Sequence, residues 1–148
     1  MSRANITRTI VIKAPVEKVF GFVTNPDNWT KYVTSLVDVR DVSSRGVEKG
    51  TTFAWQYRML GINFGGKGTV TENATNSKFG MKMEGGFPIT ENYGFKQVDG
   101  GTELSVEVLY DIPGKIMQAV TKSAVVEKLN QKEAEGVLDK IKMLCEEL

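Results

Sequence analysis

Apolar and polar residues alternate at the start of the chain and again through its middle, and between and after these stretches the apolar residues recur at helical spacing. From Ile6 to Lys13 the order Ile6, Thr7, Arg8, Thr9, Ile10, Val11, Ile12 reads as a strand. Pro15 then offers a first helical position, and Val16, Val19, Phe20 and Val23 mark a short amphipathic helix. Asn25-Pro26-Asp27 is a second start signal, with Asn25 as cap and Asp27 near the positive end of the helix dipole. It predicts a second short helix over Pro26 to Tyr32, with Trp29 and Tyr32 on its buried side.

From Leu36 to Tyr110 the period is two. Val37 and Val39 alternate with Asp38 and Arg40, and Gly46 to Gly50 is a turn. Phe53, Trp55, Tyr57 and Met59 share one strand face. Gly61 and the Gly65-Gly66-Lys67-Gly68 run interrupt the next strand, and Phe79, Met81 and Met83 share a face of the one after. Tyr93 and Phe95 follow, and Asp99-Gly100-Gly101 is a hairpin signal before Leu104, Val106, Val108 and Tyr110. Beyond Pro113-Gly114, Lys115 to Leu148 contains no proline and only Gly136, and reads as one long helix.

Strands grouped together with helices at the ends predict an α+β fold with an antiparallel sheet, one face of which is covered. The long helix is the element that can cover it. It measures roughly 50 Å if straight, whereas seven strands span about 30 Å, so the sheet must curl around it, with glycines as bending points. At about 100° per residue, Ile116, Val120, Ala134, Leu138, Ile141 and Cys145 form one helix stripe. Ser123, Glu127 and Asn130 fall on the same face, so the stripe is apolar at its ends and polar in the middle. A dry core would make an unpaired Glu127 cost several kcal/mol, whereas a cavity with water or a ligand's polar head would not. A kink near Ser123, turning Ala124, Val125 and Leu129 inward, is the alternative.

Composition narrows the chemistry. Nineteen basic residues against eighteen acidic ones leave no excess charge for binding nucleic acid, and no polybasic membrane patch stands out. Histidine is absent, which removes Ser-His-Asp and Cys-His mechanisms and histidine-built zinc sites. The single Cys145 excludes an intrachain disulfide, and with no apolar leader or membrane-length run the expectation is a cytoplasmic protein without metal or cofactor. Gly61 to Lys67 nearly matches a phosphate-binding loop, but Gly68 stands where Ser or Thr should hold magnesium and a strand follows instead of a helix. The bland reading, a bent strand pair, is preferred.

The order and motifs resemble the START-like, helix-grip superfamily, and within it the polyketide cyclase/dehydrase and lipid-transport group, related to the plant pollen-allergen fold. The matching pieces are the first strand followed by Ala14-Pro15-Val16-Glu17-Lys18-Val19-Phe20, then Asn25-Pro26-Asp27-Asn28-Trp29, Gly50-Thr51-Thr52-Phe53, the Asp99-Gly100-Gly101-Thr102 hairpin and the Pro113-Gly114 lead into the last helix. The resemblance covers the chain as one domain, residues 1–148. It implies a curved seven-stranded antiparallel sheet with two short helices, wrapped around the long C-terminal helix, with a ligand cavity between them. It does not imply one activity.

The reading that follows is binding or transport of a hydrophobic small molecule or lipid. Phe53, Trp55, Tyr57, Met59, Phe79, Met81, Met83, Tyr93, Phe95, Ile116, Val120, Ser123 and Glu127 are the expected cavity lining. Each of these taken alone is more often simple core. Two alternatives stay open. One is a cyclase or dehydratase in which Glu127 or Glu91 acts as acid or base, although Glu91, near a strand end, is placed at a wet cavity mouth. The other is a non-catalytic interaction module whose interior is only core. The absence of histidine favours binding over catalysis. Cys145 is read as a packed, unreactive thiol.

Overall fold

The computed structural model of the chain describes residues 2–59, 61–85, 88–112 and 123–147, with side chains described except at residues 2–4, 59, 62, 110–112 and 123–130. Its elements are β1 (Ser2–Ile12), α1 (Val16–Val23), α2 (Pro26–Tyr32), β2 (Leu36–Arg40), β3 (Thr52–Met59), β4 (Ile62–Ala74), β5 (Lys78–Glu84), β6 (Ile89–Val98), β7 (Gly101–Ile112) and α3 (Ser123–Glu147). This is the predicted order, and the strands form one curved antiparallel sheet in the order β1-β7-β6-β5-β4-β3-β2. The expected start of the last helix near Lys115 lies outside the described residues.

Four local expectations need correction. β1 begins at Ser2 rather than Ile6, because its backbone pairs with β7 from Ser2↔Ile112 to Ile12↔Thr102. A hydrogen-bonded ladder needs no apolar alternation, so a polar strand end is invisible to a pattern of faces. Pro15 is the N-cap of α1, with extended ψ of 150°, and not its first helical residue. Val37 and Val39 do not share a face: the register slips between Leu36 and Asp38, which buries Leu36 and leaves Val37 51% exposed. The Gly65–Gly68 run does not interrupt β4 but lies inside it, for reasons of space. A Cβ on Gly66 would stand 1.9 Å from the Glu84 carbonyl oxygen, and one on Gly68 would stand 2.1 Å from the Phe53 ring. The glycines admit neighbours, and the phosphate-loop reading has no helix to support it.

The two short helices are joined by capping. Asn25 accepts a hydrogen bond from the Asp27 N–H (3.1 Å), with Pro26 opening α2. Val23, the last residue of α1, has a carbonyl that receives both the Trp29 indole N–H (2.9 Å) and the Tyr32 hydroxyl (2.9 Å). The same two side chains therefore satisfy an orphan helix carbonyl and turn their apolar bodies inward. Trp29 packs on Phe53 and Phe79 at ring separations of 4.9 and 6.1 Å, and Phe20 on α1 packs on Phe95 at 5.0 Å. These contacts anchor α1 and α2 to the inner face of the sheet.

α3 buries Ala134, Val137, Leu138, Ile141 and Cys145, so the predicted stripe holds at Ala134, Leu138, Ile141 and Cys145 and gains Val137. It lies against β1, α1 and α2. Glu146 accepts the Lys13 N–H (2.8 Å), Lys140 donates to the Thr34 hydroxyl (2.7 Å), and Glu133 accepts the Ser35 N–H (2.7 Å). The last two tie α3 to the segment that leads from α2 into β2.

Candidate functional site

Strand alternation decides which side chains face α3. On β3, Phe53, Trp55 and Tyr57 are buried while Arg58 is exposed. On β5, Phe79, Met81 and Met83 are buried between exposed lysines and a glutamate. On β6 the buried row is Ile89, Glu91, Tyr93 and Phe95. The structure thus places Phe53, Trp55, Tyr57, Phe79, Met81, Met83, Tyr93 and Phe95 on one interior face. The side chains of Met59, Ser123 and Glu127, and the whole of Ile116 and Val120, lie outside the described residues, as do those of Ala124, Val125, Leu129 and Asn130.

Glu91 departs from its expected position. It is 4% exposed, not at a solvent-filled mouth, because it occupies an inward position of β6 directly between Met81 on β5 and Val108 on β7. Burial, and after it the charge of Glu133, pushes its carboxyl up to about 7. Glu133 reaches the same place from α3: the two carboxyl groups line one cavity of about 20 Å³ together with Val33, Tyr57, Val108 and Val137. That volume suits one water-sized group.

Three tyrosines surround this pair. Burial first, then the charges of Glu133 and Glu91, pushes the Tyr57 hydroxyl well above the usual phenol range. Tyr32 and Tyr93 are raised for the same first reason, each with Glu91 as the next contributor. All three therefore stay protonated at neutral pH and present O–H groups. Tyr32 spends its proton on the Val23 carbonyl. The Tyr93 hydroxyl, beside Tyr32 with ring centroids 6.3 Å apart, is buried with no hydrogen-bond partner among the described residues. The neighbouring Tyr32 hydroxyl adds to the rise of Tyr93. A buried hydroxyl left unsatisfied costs about 1–3 kcal/mol, so it is an available donor or acceptor.

Sequence reasoning missed Glu133. The signal was its spacing: Glu133, Val137 and Ile141 are four apart, on the flank of the buried stripe. Phasing the stripe from Ile116 passed over that flank. Cys145 is fully buried, and burial raises its thiol to about 11, which fits a packed thiol rather than a nucleophile. Arg40 and Arg58 are exposed on the outer side. A wider depression of about 540 Å³ lies near Arg40, Ala54, Gln56, Asn63 and Gly65. It is open and polar, without the buried acid and hydroxyl that distinguish the interior. Among the described residues no helix is long and apolar enough to cross a membrane, and no group of three acidic or sulfur side chains is placed to hold a metal.

Comparison with known proteins agrees with this fold. A family model described as polyketide cyclase / dehydrase and lipid transport matches residues 3–146. Comparison with curated proteins finds no match. Among solved structures, the protein TTHA0849 from Thermus thermophilus is similar with a TM-score of 0.76 at 19% identity, covering 96% of this chain and 97% of that one. A START superfamily protein from Mycobacterium smegmatis is similar with a TM-score of 0.73 at 14% identity, covering 97% of each chain. The di-domain ARO/CYC protein StfQ from the steffimycin biosynthetic pathway gives 0.76 at 11% identity, covering 98% of this chain and 52% of that one. At these identities the likeness is one of fold. With the family match running nearly end to end, and with the helix-grip fold of a seven-stranded sheet and C-terminal helix, this chain belongs to the polyketide cyclase / dehydrase and lipid transport family.

Proposed function

We propose that the chain binds a hydrophobic small molecule or lipid between the inner face of the sheet and α3. The observation that carries this reading is Glu91, an acid buried in the middle of an aromatic and methionine face, beside a small cavity and a Tyr93 hydroxyl with no partner among the described residues. A core evolved only for packing gains nothing from such groups, whereas a ligand site needs a few placed polar groups on apolar walls. Affinity comes mainly from apolar burial, near 25 cal/mol per Å² before the costs of association. Family membership supports the same direction. Native mass spectrometry of gently purified protein tests it: the expected result is a retained small molecule. Ligand-free protein whose melting temperature rises with no apolar compound contradicts it and favours an interaction module.

A second reading, acid–base catalysis of the cyclase or dehydratase type, is favoured by one observation, the carboxyl of Glu91 poised at about 7. In this reading Glu133, rather than Glu127, is the described partner acid. A pH–rate profile with a limb near Glu91's titration, abolished in Glu91→Gln, supports it. Full activity in that variant removes it.

A further inference from the structure

Glu91 from β6 and Glu133 from α3 bring two carboxyl groups to one cavity whose other described walls are apolar except for Tyr57. The groups around Glu91 supply no positive charge among the described residues. Its register neighbours are Met81 from β5 and Val108 from β7. Tyr57 from β3, Tyr32 from α2, Tyr93 on its own strand and Glu133 from α3 are the titratable groups that act on it or are acted on by it. Glu91 is 4% exposed and lines the cavity, and the Tyr93 hydroxyl nearby is buried with no partner among the described residues.

A carboxylate in such surroundings is stabilised either by a proton or by a cation with N–H donors. The cavity has the volume of one water-sized group, which an ammonium also fits. Charge-assisted N–H bonds to carboxylate are about twice as strong as neutral ones. An anionic head would meet two carboxyl groups and, among the described residues, no counter-charge. We propose that this end of the interior takes the protonated amino group of an otherwise apolar amine, paired with Glu91 and Glu133, with the apolar body continuing along the inner face of the sheet beside Met81. The inference rests on reading the interior as a small-molecule site and names the head group that site prefers.

The test compares naphthylmethylamine with its neutral analogue naphthylmethanol, by titration calorimetry on the whole chain. At about pH 8 the amine is expected to bind at least about tenfold more tightly than the alcohol, and this advantage should shrink about tenfold toward about pH 6, as Glu91 takes up a proton. Glu91→Gln should abolish the amine's advantage. The pH comparison needs no variant, so a folding defect in Glu91→Gln leaves the proposal open to refutation. Alcohol binding with no amine preference at about pH 8, or a preference that persists unchanged in a folded Glu91→Gln protein, overturns the amine site but leaves the small-molecule reading standing. Binding of neither compound overturns both.

Discussion

Glu91 on β6 and Glu133 on α3 line one small cavity, and the charge of Glu133 adds to burial in holding a proton on Glu91. The stability of the fold should therefore depend on pH in a particular direction. A carboxyl raised in the folded state contributes stability that is fully present below its unfolded value of 4.5 and lost as pH rises through about 7. The interval corresponds to about 3 kcal/mol. Denaturant titrations are expected to show this decline in the natural chain and its absence in Glu91→Gln, which should be the more stable protein at about pH 8. Parallel pH profiles for the two proteins contradict the assignment.

The Tyr93 hydroxyl gives a second prediction. It is buried without a partner among the described residues, so Tyr93→Phe should remove an unsatisfied group and raise stability by about 1 kcal/mol. If the hydroxyl serves a ligand, the same change should weaken binding of naphthylmethanol several-fold. A variant destabilised by more than about 1 kcal/mol would show that the hydroxyl is engaged within the fold.

Gly68 and Phe53 give a third. The Phe53 ring occupies the space where a Gly68 side chain would stand, and it packs on Trp29 of α2. Gly68→Ala should cost about 1–3 kcal/mol by overpacking. Shrinking the ring with Phe53→Leu in the same background should cost less than in the natural chain, giving a measurable coupling in the double-mutant cycle. Additive effects would mean that Gly68 is present for another reason.

Much of the fold was legible because its elements obey simple periods. Trp29, Tyr32 and the rows on β3, β5 and β6 are buried where alternation and helical spacing put them. What was not legible depended on register and on partners. The bulge at Val37 reverses a face without any local signal, and β1 is extended to Ser2 by its pairing with β7. The site was only half legible. Glu91 had the right parity, but its depth is set by Met81 and Val108, which are remote in sequence and adjacent only through strand pairing. Glu133 came into view only with the actual rotation of α3, which a stripe phased from Ile116 does not give.

The central claim is that the inner face of the sheet is where a hydrophobic molecule sits. Methionine-methyl NMR tests it most directly, because Met81 and Met83 are 4% and 1% exposed on that face while Met143 is 52% exposed on α3. Titration with naphthylmethanol should move the Met81 and Met83 methyl resonances saturably and with one common affinity, leaving Met143 unmoved. Resonances of Met81 and Met83 that stay fixed while the compound binds, or shifts confined to Met143, would contradict the account.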